Sequence, residues 1–131
     1  MREHSFTIRV RYAECDPMGV AHHSVYPVWF EMGRTELLRS SGFSYREMES
    51  QKLYMVVIDL HVKYRKPALY DDLLTLTTTL AESSRVKLTH HYELKRGEET
   101  LAVADITLAC VDASGRAREL PAILQQSHAT A

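Results

Sequence analysis

The sequence is poor in cysteine, glycine and proline, and it has no long apolar run. Of 131 residues, two are cysteine, five are glycine and four are proline. This composition excludes a disulfide scaffold and a collagen-like chain, and we expect Cys15 and Cys110 to be reduced thiols. The apolar run from Met55 to Ile58 is far shorter than the roughly 20 residues that a membrane-spanning helix needs.

The chain also lacks an excess of charge of either sign. Sixteen Lys and Arg residues stand against seventeen Asp and Glu residues, which gives a net charge of −1. Such a balance provides no basic field to hold nucleic acid or an anionic membrane. The first residues, Met1 to Ser5, lack the apolar core of a signal peptide. We therefore predict a cytoplasmic protein that forms one domain over residues 1–131.

The apolar residues that are present follow two different periods. From Phe6 to Tyr12 apolar and polar residues alternate, which predicts a half-buried strand. From Ser24 to Ser40 apolar residues recur at helical spacing, which predicts a long helix wrapped by other structure. Ser24 is the expected N-cap and Gly42 the expected stop. Glu36 lies inside the apolar arc, either as a partnered buried carboxylate or at a subunit interface.

Four further alternating segments follow the helix. Rows of apolar residues that share a face begin at Ile58, Leu74, Val86 and Ala102, and each row predicts a strand. The tetrapeptide Lys95-Arg96-Gly97-Glu98 is typical of a hairpin turn. Because strand and helix do not alternate regularly, we predict an α+β fold with a five-stranded antiparallel sheet. One helix cannot cover such a sheet and its edges, which favours self-association.

The loop between the first strand and the long helix carries the best candidate for chemistry. Asp16 lies on this loop before the helix N-terminus, where unpaired N–H groups and the positive end of the helix dipole gather. These donors can polarise a carbonyl oxygen, and the Asp16 carboxylate can act as nucleophile or as general base for water. Tyr12 and His23 can orient the carboxylate or move protons. An Asp before a helix is also a common cap or turn former, which is the alternative interpretation.

Metal and thiol chemistry find less support in the sequence. The adjacent histidines at 90–91 point to opposite faces of a predicted strand. The histidines at 22–23 have no second cluster of ligands at metal-binding spacing. Cys15 is next to Asp16, whose charge disfavours a thiolate. We therefore expect no metal site and no catalytic cysteine.

One stretch resembles the active-site motif of the 4-hydroxybenzoyl-CoA thioesterase family: Asp16-Pro17-Met18-Gly19-Val20, followed by His23 and Tyr26. The resemblance continues through Tyr64-Arg65-Lys66-Pro67-Ala68 and covers nearly the whole chain. It is strongest toward the branch that contains the Tol-Pal-associated acyl-CoA thioesterases. The family's fold is the hotdog, so the resemblance implies a five-stranded antiparallel sheet wrapped around one long central helix.

The same resemblance implies a set of catalytic residues. Asp16 matches the family's catalytic aspartate, and His23 occupies the position whose backbone N–H polarises the thioester carbonyl. Tyr12 and His23 also match the tyrosine and histidine that accompany the aspartate in the bacterial acyl-CoA branch. The 4-hydroxybenzoyl-CoA enzymes have other residues at these two positions, which favours the acyl-CoA branch.

Three further residues match positions that bind substrate. Tyr26 matches an aromatic residue near the expected acyl group. Arg85 is similar to an arginine that contacts the nucleotide phosphates of CoA, and Lys87 projects from the same face. Alternating cations on a strand are also typical of a solvated surface, whereas pairing of an arginine with phosphate suits an anionic ligand.

The sequence thus predicts an acyl-CoA thioesterase that releases a free acid and CoA. It needs no metal or redox cofactor, and coenzyme A is part of the substrate. A hydratase or dehydratase that uses Asp16 and His23 as acid and base, and a non-catalytic acyl-CoA-binding module, are the alternatives. Short aliphatic, hydroxybenzoyl and dihydroxynaphthoyl thioesters all stay open as substrates. The expected assembly is a homodimer with a continuous sheet, which the resemblance extends to a homotetramer, with active sites between subunits.

Overall fold

Five strands form one antiparallel sheet in the computed structural model, which describes residues 2–128. The strand order across the sheet is β1-β3-β4-β5-β2. The strands are β1 Glu3–Arg9, β2 Tyr54–Tyr64, β3 Leu73–Ser83, β4 Lys87–Arg96 and β5 Glu99–Val111. The helices α1 Tyr26–Ser40 and α2 Tyr45–Ser50 lie between β1 and β2 in the chain, and 3₁₀ turns occupy Tyr12–Glu14, His23–Val25 and Ala122–His128. The predicted α+β order of strand, long helix and four strands is therefore observed.

Helix α1 packs closely on β1 and β3. Trp29 and Phe30 are fully buried on its inner face. Gly33 is required there, because an added Cβ would lie 2.8 Å from Leu76 Cδ2 on β3 and would also meet Thr78. The predicted apolar rows of β3, β4 and β5 supply the opposing surface: Leu74, Leu76, Thr78, Leu80, Leu88, His90, Tyr92, Leu94, Ala102, Ala104, Ile106, Leu108 and Cys110 are all buried.

Strand β2 differs from the other predicted rows. We expected Ile58 and Leu60 to share one core face, and this is wrong at Ile58 because a β-bulge between Val57 and Asp59 shifts the alternation. Leu60 does face the helix side, opposite Ile106. Even so, Ile58 is 50% and Leu60 is 45% exposed, because β2 is an edge strand that α1 only partly covers.

The two ends of α1 are capped in different ways. The predicted N-cap at Ser24 is wrong, since a 3₁₀ turn precedes the helix and the Nδ1 atom of His22 accepts the N–H of Ser24 at 3.2 Å. Gly42, with φ of +89°, follows the helix as predicted. Glu36 is half-buried and forms an ion pair with Arg39 on the same helix.

The helices of the described chain are short. None within residues 2–128 is long and apolar enough to cross a bilayer. A cytoplasmic location and a single domain over residues 1–131 stay predictions.

Candidate active site

The loop before α1 folds back on itself as a tight hairpin. Cys15 pairs with Ala21 in an antiparallel bridge. The N–H of Asp16 donates to Val20 O at 2.9 Å, and the N–H of Gly19 donates to Asp16 O at 2.9 Å. Gly19 has φ of +78°, a left-handed conformation that glycine adopts without strain. Asp16 therefore lies at the neck of a well-defined turn.

The Asp16 side chain takes part in this turn with one of its oxygens. Oδ1 accepts the N–H of Met18 at 2.8 Å and the N–H of Val20 at 3.1 Å. No other described residue donates to its carboxylate, so Oδ2 is left without a donor from residues 2–128. The interpretation of Asp16 as a turn former is thus correct for Oδ1 and leaves Oδ2 available for chemistry.

A buried carboxylate that the sequence analysis missed ties this loop to the helix. Glu14 Oε2 accepts the indole N–H of Trp29 at 3.1 Å, and Oε1 accepts the N–H of Arg11 at 2.7 Å. Its backbone oxygen accepts the N–H of His22 at 2.9 Å. Burial alone would raise the pKa of Glu14, but the hydrogen bonds from Arg11 and Trp29 lower it overall. Trp29 could have pointed to Glu14 in the sequence, because the indole N–H of a buried tryptophan needs a hydrogen-bond acceptor.

A cavity of about 430 Å³ opens between this loop, the start of α1 and the end of β2. Its lining residues are Asp16, Val20, Ala21, His22, His23, Tyr26, Tyr64, Arg65, Lys66 and Pro67. Three of the predicted site residues, Asp16, His23 and Tyr26, are therefore brought together.

The wall of the cavity at the helix start carries an unpaired backbone donor. The N–H groups of Ser24 and Val25 donate to the side chain and the carbonyl of His22, at 3.2 and 3.0 Å. The N–H of His23 has no acceptor among residues 2–128. A free N–H at a helix N-terminus can receive a carbonyl oxygen or an oxyanion.

Tyr26 lines the cavity as part of its floor. The residue is 2% exposed, and its hydroxyl accepts the N–H of Ala68 at 3.3 Å. Burial raises the pKa of Tyr26, which favours its neutral hydroxyl. This side chain can shape an apolar part of the site.

Tyr12 is not brought to the cavity within one chain. Its side chain is 80% exposed, and its ring packs edge-on against Tyr70 with centroids 5.5 Å apart. Among residues 2–128 the Tyr12 hydroxyl forms no hydrogen bond with Asp16, because the strand ends at Arg9 and the 3₁₀ turn at Tyr12–Glu14 breaks the alternation. The role of Tyr12 beside Asp16 stays a prediction.

Arg85 and Lys87 also lie away from the cavity. Lys87 is opposite Ala109 on β5, whereas Tyr64 at the cavity is opposite Ala102. These β5 positions are seven residues apart, which spans roughly 23 Å at about 3.3 Å per residue. A single chain therefore does not bring the predicted phosphate contacts to Asp16.

Two other cations line the cavity and were missed as site residues. Lys66 Nζ lies 2.6 Å from Glu99 Oε2, so its charge is compensated. Arg65 forms no ion pair with any residue from 2 to 128. In the sequence both residues belong to the stretch that resembles the family at the end of β2. Nothing in that stretch predicts that it lies beside Asp16.

The described side chains give no sign of a metal centre or of a reactive thiol. Within residues 2–128 no group of three His, Cys, Asp or Glu residues is placed to hold a metal ion. Burial raises the pKa of Cys15, and the nearby Glu14 and Asp16 raise it further, which disfavours a thiolate.

Comparison with known proteins finds similarity to thioesterases. The family model described as thioesterase superfamily matches residues 18–103. The acyl-CoA thioesterase YbgC of Haemophilus influenzae is 37% identical over 109 residues, which cover 82% of this chain and 80% of the relative. The crystal structure of DHNA-CoA thioesterase from Staphylococcus aureus is similar with a TM-score of 0.87 and 32% identity, covering 92% of this chain and 82% of that chain.

A more distant structure agrees in fold alone. 4-Hydroxybenzoyl-CoA thioesterase from Pseudomonas sp. strain CBS-3 has a TM-score of 0.84 and 21% identity, covering 95% of this chain and 97% of that chain.

The antiparallel sheet around α1 is a hotdog fold, and the similarity to acyl-CoA thioesterases defines the class of enzyme as a hydrolase of thioesters. The chain belongs to the thioesterase superfamily. The predicted fold and the predicted class of enzyme are thereby confirmed.

Proposed function

We propose that the protein hydrolyses acyl-CoA thioesters to a free acid and CoA, with Asp16 as the catalytic carboxylate. The observation that carries this proposal is that Asp16 and the unpaired N–H of His23 line one cavity. A thioester carbonyl in this cavity can receive a hydrogen bond on its oxygen while the carboxylate approaches its carbon. The two turn hydrogen bonds to Oδ1 keep Oδ2 oriented without occupying it.

Two routes are open to Asp16. As a nucleophile, Oδ2 bonds to the carbonyl carbon, the C–S bond breaks and CoA leaves as a thiolate; water then hydrolyses the mixed anhydride. As a general base, the carboxylate takes a proton from water while the water oxygen attacks, and the tetrahedral intermediate expels the thiolate, which takes up that proton. Both routes place negative charge on the carbonyl oxygen, where the His23 N–H stabilises it. The exposed His23 ring is available to move protons in either route.

We further propose that two copies pair along β2. This edge strand has 11 residues, and an unpaired edge with apolar side chains is a template for another strand. Exposed apolar side chains lie on it and on the adjacent face of α1: Val28, Met32, Val56, Val57, Ile58 and Leu60. A groove of about 260 Å³ separates the two elements. A second copy of the chain would cover both, and pairing of such dimers into a tetramer stays a prediction.

Pairing along β2 also supports a role for Arg85 and Lys87. In a two-fold antiparallel pair, the start of one β2 lies beside the end of the other. Arg85 and Lys87 lie toward the Tyr54 end of β2, and the cavity lies at the Tyr64 end. Arg85 and Lys87 of a second copy then lie at the same strand end of the continuous sheet as the cavity of the first copy. We propose that they contact the phosphates of CoA in this assembled form.

We place the protein in the acyl-CoA branch rather than the 4-hydroxybenzoyl-CoA branch. The match of Tyr12 and His23 to the former supports this, as does the higher identity to the Haemophilus influenzae relative. An association with the Tol-Pal system stays a prediction, and the acyl group is open.

Release of free thiol from a panel of acyl-CoAs tests the proposal. We expect catalytic turnover with at least one member of a panel of short aliphatic, hydroxybenzoyl and dihydroxynaphthoyl thioesters. Loss of enoyl absorbance without thiol release would instead indicate a hydratase or dehydratase. Tight binding of acyl-CoA without thiol release over hours would indicate a binding module.

A further inference from the structure

We infer that Tyr64 is a positioning residue for catalysis, which fixes the peptide group next to the N–H that receives the thioester carbonyl. The inference rests on the proposed function and deepens it. Tyr64 is the last residue of β2, and the sequence analysis placed it in the stretch that resembles the family without giving it a role.

The hydroxyl of Tyr64 crosses the cavity to the start of the helix. Its Oη donates to the carbonyl oxygen of His23 at 2.8 Å, although 41 residues separate the two in the chain. Its ring packs edge-on against Tyr26, with centroids 4.8 Å apart. The side chain thus links the edge strand to the first turn of the helix.

The peptide group between His23 and Ser24 is held at both of its ends. Its oxygen accepts the hydroxyl of Tyr64 at 2.8 Å, and its N–H donates to Nδ1 of His22 at 3.2 Å. Because a peptide group is planar, two such bonds fix its orientation and thereby the torsion about His23. The unpaired N–H of His23 lies on the other side of the same Cα, so its direction depends on this anchor.

The environment keeps Tyr64 in the donor state. The residue is 47% exposed, but burial of part of the ring against Tyr26 raises the pKa of its hydroxyl. The hydroxyl therefore stays protonated at neutral pH and donates continuously to the His23 carbonyl. A phenylalanine in this place would keep the ring contact and lose only the anchor.

The test compares Tyr64→Phe with Tyr45→Phe, which removes a tyrosine hydroxyl on α2, outside the cavity and outside the β2 edge. For Tyr64→Phe we expect kcat for thiol release to fall about tenfold, less than the loss on removing a direct oxyanion donor. KM should stay within about twofold, because the anchor acts on the transition-state contact. The melting temperature, oligomeric state and pH dependence of kcat should match those of the parent, and Tyr45→Phe should match the parent in every measurement.

Several results would overturn the inference. One is a Tyr64→Phe variant that keeps kcat within twofold of the parent. Another is a loss of kcat together with a fall in melting temperature of more than about five degrees, because Tyr64 would then act through folding. A displaced alkaline limb of the pH profile would make Tyr64 a proton donor instead of a positioning residue. If the parent protein releases no thiol, the proposed function fails; if only Asp16→Asn lowers the rate, the inference fails alone.

Discussion

The two ends of the sheet carry different parts of the proposed site. At the Tyr64 end lie Asp16 and the helix start, and two cations there, Lys66 and Arg96, are within 2.7 Å of carboxylates. At the opposite end, Arg85 is exposed and its nearest carboxylate is 3.9 Å away. The cavity end therefore carries the reactive carboxylate, and much of the positive charge there is compensated. The opposite end carries exposed cations and no reactive group.

This difference is the basis for the proposal that a second chain contributes to the site. A CoA thioester needs a reactive carboxylate near its carbonyl and cations near its phosphates. Within one chain Lys87 lies roughly 23 Å from the cavity end along β5, at about 3.3 Å per residue, and the cation beside Asp16 that has no ion pair among residues 2–128 is Arg65. A two-fold pair along β2 would bring the unlike ends of two chains to one side of the sheet. The predictions below separate the contributions of the two ends and of the edge that joins them.

Removing the charge at the cavity end should have the largest effect. Asp16→Asn keeps the shape and the acceptor for the Met18 and Val20 N–H groups, but it removes the nucleophile or base. We expect kcat for thiol release to fall at least about a thousandfold, a loss of roughly 4 kcal/mol in transition-state stabilisation. Ligand affinity should change little.

The matched control is Asp71→Asn, since Asp71 is exposed, lies outside the cavity and has φ of 69°, which asparagine tolerates. It should keep the parent rate. A folded Asp16→Asn protein within tenfold of the parent would contradict the mechanism.

A charged residue on the β2 edge should prevent the proposed pairing of two chains, and so separate the cavity of one chain from the cations of the other. Val57 is 50% exposed and lines the groove beside α1, so Val57→Asp would bury a carboxylate in the proposed interface. We expect light scattering to show a 15.0 kDa monomer, and kcat/KM to fall by about a hundredfold as the phosphate contacts of the second copy are lost. Thr7→Asp on the other edge strand, β1, should leave both measurements unchanged. A parent protein that is a fully active monomer would refute the assembly.

Removing a cation at the far end should affect binding alone. Arg85→Ala should raise KM for acyl-CoA about tenfold, within the 1–3 kcal/mol of a charge-assisted hydrogen bond. The effect should nearly vanish with a truncated thioester that lacks the nucleotide. Arg118→Ala removes another exposed arginine, which lies 3.9 Å from Asp112, and it should change neither substrate. Equal effects of Arg85→Ala on both substrates would mean that Arg85 acts through folding or chemistry.

His90 on the central strand β4 should make the stability of the protein depend on pH without affecting ligand binding. Burial, with the charge of Arg34 adding to it, lowers the pKa of His90 to about 3. The unfolded chain binds a proton near pH 6.5 and the folded chain does not, so stability is lost as the pH falls below about 6.5. Between pH 7 and pH 5 this amounts to about 2 kcal/mol in the free energy of unfolding.

Urea denaturation at these two pH values measures the effect, and His90→Phe should remove most of the difference. Glu14 also has a lowered pKa, but its stability contribution is lost below the ordinary carboxyl range, near pH 4.5, so the two groups separate. Equal stability of the parent at pH 7 and pH 5 would contradict the assignment to His90.

Much of the site could be predicted because it is local in the chain. Asp16, His23 and Tyr26 lie within one loop and the first turns of one helix, so their proximity follows from the sequence order and the change of hydrophobic period. The rows of β3, β4 and β5 were predictable for the same reason, since alternation reports a face directly. The bulge at Ile58 was not, because it depends on how β2 pairs with β5.

The sequence by itself determined the order of elements, the buried faces of the central strands and the carboxylate before the helix. These follow from side-chain periodicity and turn chemistry, which act over a few residues. Only the tertiary structure decided which partners reach the cavity. Tyr64 meets the His23 carbonyl and Glu14 meets the Trp29 indole across 41 and 15 residues of chain, and no local pattern records such contacts. Tyr12 is near Asp16 in sequence, but its ring packs on Tyr70 and does not line the cavity, because a single 3₁₀ turn redirects a side chain that alternation alone would have kept in register.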